Sequence, residues 1–249
     1  MENGNSFKPD VSVFFPCYNE EENVEKTTLA AVKACEKYFG EYEVIIVNDG
    51  SRDRTGEIAD RLAETIPHVR AAHNRPNRGY GGALRRGFEE SRLPYIFYTD
   101  GDGQFDFEEI EKLIPLMQEY DIVSPFRMNR QDPLHRRVNA ACWGKLVDFL
   151  FGLDLRDIDC AFKIFPRRLF ESMELYSNGA LIDTEVLARA RMLGYSIGQV
   201  GVHHYARTAG TQTGANPRVI LKAFRELFAL HAQLKATPST TSQAVGKLS

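Results

Sequence analysis

The chain has 249 residues, 43% hydrophobic and 26% charged, a balance that suits a folded globular protein with a real core. Its net charge of -3 gives no bulk electrostatic case for nucleic acid. The length permits one large domain or two small ones.

The elements read in chain order as follows. "MENGNSFKPD" is polar, so no secretory signal is expected. "VSVFFP" predicts a short buried strand ended by Pro16. "NEEENVEKTTLAAVKACEKYFG" predicts a helix, with Asn19 as its cap, three glutamates at its positive end and Gly40 as its stop. "YEVIIVNDGS" is a second buried strand that runs into a turn, and "RTGEIADRLAETI" a second helix. "VRAAHN" is a third strand, "GYGGALRRGFEESR" a third helix, and "YIFYTD" a fourth strand. A helix over 107–119 and a strand, "DIVSPF", follow.

This βαβαβαβ order predicts an α/β fold, a mostly parallel sheet flanked by helices. Ligands of such sheets bind outside the carboxyl ends of the strands. Three polar clusters fall at those ends: "PCYNE", "NDGS" and "DGDGQ".

The second half is less regular. "VNAACWGKLVDFLFG" puts Trp143, Leu146, Val147, Leu150 and Phe151 on one helical face. "DIDCAFKIF" reads as a strand, "DTEVLARARMLG" as a helix and "YSIGQVGVHHY" as a strand. Asn216 and Pro217 open a last helix whose apolar stripe is Ile220, Ala223, Phe224, Leu227 and Leu234. The tail, 236–249, has a disordered composition. No apolar run approaches the ~20 residues that span a bilayer. Cys17, Cys35, Cys142 and Cys160 form no CxxC pair, which argues against a zinc ribbon or redox motif and suggests buried free thiols in a reducing compartment.

Asp100, Asp102 and Asp106 crowd with Gln104 after the fourth strand. Their repulsion calls for an offset. Carboxylate and amide oxygens suit a hard ion such as Mg²⁺ or Mn²⁺, which also takes waters and phosphate oxygens. A solvated Asp/Gly turn is the plain alternative. "NRGYGGALRRG" fits neither GxGxxG nor GxxxxGK[ST], so it reads as a helix start packed close to the sheet.

With "FPCYNEEENV", "VIIVNDGSRDRT", "NRGYGGALRRGF", "YTDGDGQFD", "DIDCAFKIF", "IDTEVLARARMLGYSI" and "HHYARTAGTQ" in this order, the chain resembles a family 2 glycosyltransferase of the GT-A fold. More narrowly it resembles the dolichyl-phosphate mannose synthase and polyprenyl-phosphate glycosyltransferase branch. The resemblance implies a nucleotide-sugar half (about 9–125) and an acceptor half (about 126–235) within one domain, 1–235. It places Pro16, Tyr18, Glu20 and Asp49 at the nucleoside, and Asp100, Asp102 and Gln104 at a donor metal. It places arginines on the acceptor phosphate: Arg127, Arg207 and one of Arg136 and Arg137, with Lys163 a weaker candidate. Plain surface charge is the alternative for each arginine. His203 and His204 face the metal or serve structure.

A phosphate acceptor is already anionic, so attack at the anomeric carbon needs little general-base help. The Glu-Asp or Asp-Asp base and the Gln-x-x-Arg-Trp motif of many sugar-to-sugar transferases are not in this sequence; Asp183 and Glu185 of "DTE" stand in that region. The implied reaction is inverting transfer from a UDP- or GDP-sugar to a polyprenyl phosphate. The implied setting is the cytoplasmic face of a membrane, bound peripherally, with room for a membrane-protein partner subunit. The Trp143 helix, near Arg130, Arg136, Arg137 and Lys145, either lies in the headgroup layer or packs on the sheet. Two other readings stand beside this one: transfer to a hydroxyl acceptor with Asp183 as base, and a nucleotide-sugar binding subunit without turnover.

Overall fold

The computed structural model describes residues 7–128, 134–207 and 217–236, with backbone alone at 134–141 and 217–222. In the first half β1 (Val11–Cys17), β2 (Tyr42–Asn48), β3 (Val69–His73) and β4 (Tyr95–Thr99) alternate with α1 (Val24–Tyr38), α2 (Thr55–Thr65) and α3 (Gly79–Glu90). β1 lies between β2 and β4, parallel to both, and β3 extends the sheet beyond β2. The second half contributes β5 (Ile122–Val123), β6 (Phe126–Met128), α4 (Leu134–Phe151), β7 (Phe162–Pro166), α5 (Arg168–Glu171), α6 (Leu181–Met192), β8 (Ile197–Gly198), β9 (Gly201–His203) and α7 (Pro217–Ala236).

The seven-stranded sheet has the order β3-β2-β1-β4-β7-β5-β8. It is mixed, because β7 runs antiparallel to β4 and β5. β6 and β9 form a separate parallel pair. β1 is buried at every residue except Pro16, as a strand covered on both faces should be. α1 buries Val24, Thr27, Thr28, Ala31, Ala34, Cys35 and Tyr38, one stripe at helical spacing. The order reverses between β1 and β4: the chain leaves β1 towards β2 and β3, then returns through α3 to the other side. That reversal opens a crevice at the carboxyl ends of β1 and β4.

Several local expectations differ from the structure. Asn19 is not the cap of α1, which starts at Val24. Asn19 sits at φ 56, and its side chain accepts from the Arg52 N–H at 2.8 Å, tying the loop after β1 to the loop after β2. Residues 107–119 form two short 3-10 segments, Phe107–Lys112 and Pro115–Gln118. Pro115 has no N–H to continue a helical ladder. The run "DIVSPF" divides at Pro125 into β5 and β6, and "YSIGQVGVHHY" divides into β8 and β9. In the second case Gln199 turns to the loop before β7, accepting from the Arg156 N–H (2.9 Å) and donating to the Asp154 carbonyl (3.2 Å). Cys17, Cys35 and Cys160 are buried, whereas Cys142 is exposed. Asn216 and the tail lie outside the described residues, as does the Ile220 side chain.

α4 turns its apolar face inward. Val147 is fully buried, and Trp143, Leu146, Leu150 and Phe151 pack half-buried against the core. The Trp143 ring meets Phe224 of α7 edge-on at 5.3 Å. Leu227, Leu230 and Leu234 of α7 are buried too, so both helices use their stripes for packing.

Candidate active site

Three loops meet at the crevice. After β1, the Glu20 N–H donates to Thr55 Oγ1 (2.8 Å) and the Asn19 N–H to Ser51 Oγ (3.0 Å). After β2, Gly50 takes φ 68, and a Cβ there would stand 2.8 Å from the Asn77 nitrogen, so this turn requires glycine. Asp49 is 3% exposed. Its Oδ1 accepts from Asn74 Nδ2 and from the Arg78 N–H, both at 2.9 Å. Tyr18 is 40% exposed and lines a cavity of about 560 Å³ with Asn48, Gly50, Ser51, His73, Arg75 and Asn77 among its walls. Pro16, half-buried, pairs with Val47 inside β1.

The acidic cluster follows β4 directly. Asp100 Oδ1 accepts from the Tyr80 hydroxyl at 3.1 Å. Asp102 Oδ1 accepts from the Gln104 N–H at 3.1 Å. Loss of water around Asp100, then repulsion from Asp102 and Asp183, pushes its carboxyl up to about 7. Asp102 is raised as well, by desolvation first, while the Gln104 N–H and Arg207 pull it down. Gln104 is buried and its Nε2 donates to the Tyr205 carbonyl (2.8 Å), while the Tyr205 N–H returns a bond to the Gln104 carbonyl (2.9 Å). Gln104 thus anchors the segment that carries Arg207.

Arg207 reaches back across the crevice. Its guanidinium pairs with Glu20 and lies 3.9 Å from Asp102 Oδ2. The proposed nucleoside residue, metal residue and acceptor arginine are therefore neighbours, although 187 positions separate Glu20 from Arg207. Glu20 also accepts from Asn23 Nδ2 at 2.7 Å.

Arg127 is held differently. Its Nε and Nη2 form a fork with Asp157 at 2.7 and 2.8 Å, and its own N–H adds a third bond at 3.1 Å. Burial works against its charge, but the Asp157 fork outweighs burial and raises its pKa above the ordinary arginine value. Arg136 and Arg137 lie on the α4 backbone with side chains outside the described residues, and Arg130 lies outside them altogether.

Lys163 does not reach an acceptor surface. It is fully buried, 2.8 Å from Asp183 Oδ1, 3.1 Å from the Tyr98 hydroxyl and 2.6 Å from the Cys160 carbonyl. The Tyr98 hydroxyl also donates to Asp183 Oδ1. Glu185 is buried as well and accepts from the Tyr176 N–H (3.1 Å) and the Ser177 N–H (2.7 Å), shaping the loop before α6. His203 turns Nδ1 to Glu109, and its N–H donates to the same carboxylate at 2.9 Å. Burial raises Glu109, and the His203 and Lys112 contacts outweigh that and lower it. His204 packs edge-on against Phe105 at 4.9 Å, so both histidines sit in structural contacts.

Sequence reasoning did not single out Tyr80 or Asp157. Tyr80 lay in the glycine-rich stretch read as simple packing, and only the fold brings it to Asp100. Asp157 opened the quoted motif "DIDCAFKIF", so its carboxylate was a visible candidate partner for Arg127.

The family described as "Glycosyl transferase family 2" matches residues 12–173. Glycosyltransferase AglD of Haloferax volcanii is 35% identical over 203 residues, 78% of this chain and 32% of that protein. An undecaprenyl-phosphate 4-deoxy-4-formamido-L-arabinose transferase of Photorhabdus laumondii is 33% identical over 165 residues, 66% of this chain and 51% of that protein. The chain thus spans between about a third and about a half of these two curated relatives. Among solved structures, glucosyl-3-phosphoglycerate synthase from Mycobacterium tuberculosis, in complex with Mn²⁺, uridine-diphosphate-glucose and phosphoglyceric acid, superposes with a TM-score of 0.71. That match covers 90% of this chain and 80% of the other at 18% identity, a likeness of fold.

Proposed function

The chain belongs to glycosyl transferase family 2, and on that premise we propose that it moves a sugar from a UDP- or GDP-sugar to a polyprenyl phosphate, with inversion at the anomeric carbon. The observation that carries the proposal is the Asp100–Asp102 pair. It stands at the carboxyl end of β4, beside the reversal of strand order, with one carboxyl pushed up to about 7 by desolvation and by its acidic neighbours. Such a pair favours a cationic ligand. Among the described residues no group of three or more His, Cys, Asp or Glu forms a self-sufficient metal cluster. Two carboxylates and the Gln104 amide are nevertheless a hard-oxygen set of the kind that Mg²⁺ or Mn²⁺ completes with waters and phosphate oxygens. Asp100, Asp102 and Gln104 would hold the ion, which when bound neutralises charge building on the leaving nucleotide. The Mn²⁺ and uridine-diphosphate-glucose of the solved fold relative support that assignment.

Tyr18 packs against the base and Glu20 accepts from ribose hydroxyls. Asp49, with Oδ1 already bonded to Asn74 and Arg78, keeps its turn in shape for the base. Arg207, with Arg127 and one of Arg136 and Arg137, receives the acceptor phosphate. A phosphate oxygen forms the new bond to the anomeric carbon as the bond to the nucleoside diphosphate breaks. The nucleophile arrives ionised, so no proton has to be removed. The Asp183 contacts favour this acceptor over a hydroxyl: its Oδ1 is already engaged by Lys163 and Tyr98 rather than held open as a base. The undecaprenyl-phosphate transferase among the relatives supports the same acceptor class.

A lipid acceptor brings the chain to a membrane surface, on the cytoplasmic face in this reading. Among the described residues no helix is long and apolar enough to cross a membrane. The test is a product assay. Purified protein, Mn²⁺ or Mg²⁺, a panel of UDP- and GDP-sugars and a polyprenyl phosphate are mixed, and mass spectrometry looks for a sugar-loaded lipid. A metal-dependent product is expected. Nucleotide release without lipid product overturns the acceptor assignment, and no turnover with any donor overturns the transferase reading.

A further inference from the structure

We propose that Tyr80 is a positioning residue of the donor site: its hydroxyl holds Oδ1 of Asp100, leaving the other carboxylate oxygen to meet a divalent cation. The inference rests on the reading of Asp100 as a metal ligand. Its basis is the 3.1 Å bond from the Tyr80 hydroxyl to Asp100 Oδ1 and the way the first turn of α3 is pinned.

On the donor side, Asn77 Nδ2 donates to the Asp49 carbonyl (2.7 Å), the Arg78 N–H donates to Asp49 Oδ1 (2.9 Å), and the Gly79 N–H donates to Asn77 Oδ1 (3.0 Å). On the other side, the Gly81 N–H donates to the Asn178 carbonyl at 3.1 Å. Arg85 clasps the same loop, reaching the Ser177 carbonyl and Asn178 Oδ1, both at 2.5 Å. Buried Glu185 stiffens that loop from below through the Tyr176 and Ser177 N–H groups. Tyr80 therefore sits on a backbone fixed from both halves of the protein, and its half-buried ring packs against the core.

A free carboxylate rotates and can offer one oxygen or two. With one oxygen accepting a charge-assisted bond from a phenol, its orientation is set before a cation arrives. Partners of this kind orient metal ligands, and their loss weakens metal binding by about 10–100-fold. The same bond accounts for a tyrosine in an otherwise glycine-rich helix start. A residue that only filled space would do so as well with phenylalanine.

The experiment titrates Mn²⁺ calorimetrically into metal-free protein saturated with UDP or with GDP, where no sugar is present to turn over. Wild type, Tyr80→Phe and Asp102→Ala are compared. Tyr80→Phe keeps the ring and is expected to bind Mn²⁺ about 10–100-fold more weakly, with nucleotide affinity in the absence of metal unchanged. Mn²⁺ affinity within about two-fold of wild type, while Asp102→Ala loses the ion, overturns the role of Tyr80 alone. Equal weakening of metal-free nucleotide binding, or a large fall in the metal-free thermal midpoint, also overturns it, since a merely structural residue would behave so. If Asp102→Ala binds Mn²⁺ as wild type does, or wild type binds none, the metal assignment fails and takes this inference with it.

Discussion

Lys163→Met removes the positive partner that Asp183 has among the described residues. The ammonium and Oδ1 are 2.8 Å apart, with side chains 0% and 5% exposed. At an effective dielectric constant of about 20 that separation corresponds to about 6 kcal/mol of attraction. The net worth of the pair is far smaller, because both ions left water to form it. The cost of breaking it is not small: a buried carboxylate left alone costs about 3–5 kcal/mol. Set against a total stability of about 5–15 kcal/mol, that is a large share. At about 2–4 °C per kcal/mol for a chain of this size, the thermal midpoint should fall by roughly 6–20 °C. Lys163→Met with Asp183→Asn leaves neither charge and keeps an acceptor for Tyr98, so it should recover to within about 1–2 kcal/mol of wild type. Urea unfolding followed by circular dichroism measures Lys163→Met, Asp183→Asn and the double variant. A double variant as unstable as the sum of the singles, or a Lys163→Met cost below about 1 kcal/mol, refutes the buried-pair account. The single Asp183→Asn variant also bears on chemistry. Lost turnover with intact donor binding and an unchanged fold would restore the hydroxyl-acceptor reading.

Asp100 makes stability depend on pH. Its folded pKa of about 7 lies above the ordinary 3.8, so between those values the folded chain holds a proton that the unfolded chain has released. Metal-free stability should therefore fall as pH rises through that window, and the Mn²⁺-induced rise in thermal midpoint should grow from about pH 5 to about pH 8. A Mn²⁺ effect independent of pH refutes this. Gly81→Ala should destabilise: alanine gains about 1 kcal/mol of helix propensity. Its Cβ, however, would stand 2.5 Å from the Ser177 carbonyl oxygen and 2.7 Å from the Asn178 carbonyl carbon. Crowding against a docked loop costs about 1–3 kcal/mol, and a stabilised variant in urea would contradict it. Arg207→Ala should raise the acceptor KM roughly ten-fold or more, as loss of a charge-assisted bond does, and the donor KM less. Equal effects on both would assign it to the donor side, where its contacts with Glu20 and Asp102 already lie.

The first half was readable before the fold because its signals are local. Continuous apolar runs mark strands covered on both faces, and the polar residues that follow each run must fall at a strand end. On that ground the clusters that contain Asp100, Asp102, Glu20 and Asp49 stand out, and the nucleoside role of Glu20 and Asp49 came from the family resemblance. The second half was less legible, since a two-residue strand such as β5 or β8 has no periodicity to read. Whether the apolar stripe of α4 meets protein or lipid is likewise invisible in the stripe itself.

Sequence alone determined the alternation of strands and helices, the three polar clusters and the carboxylate pair. It did so because strand and helix periods and turn chemistry act over a few residues. Only the tertiary structure decided which distant groups meet. It set Arg207 on Glu20, Arg127 in the Asp157 fork, Lys163 beneath Asp183 and Tyr80 on Asp100. Each of these is a charge or hydrogen bond taken out of water, so its partner is chosen by the packing of the whole sheet and not by neighbours in the chain.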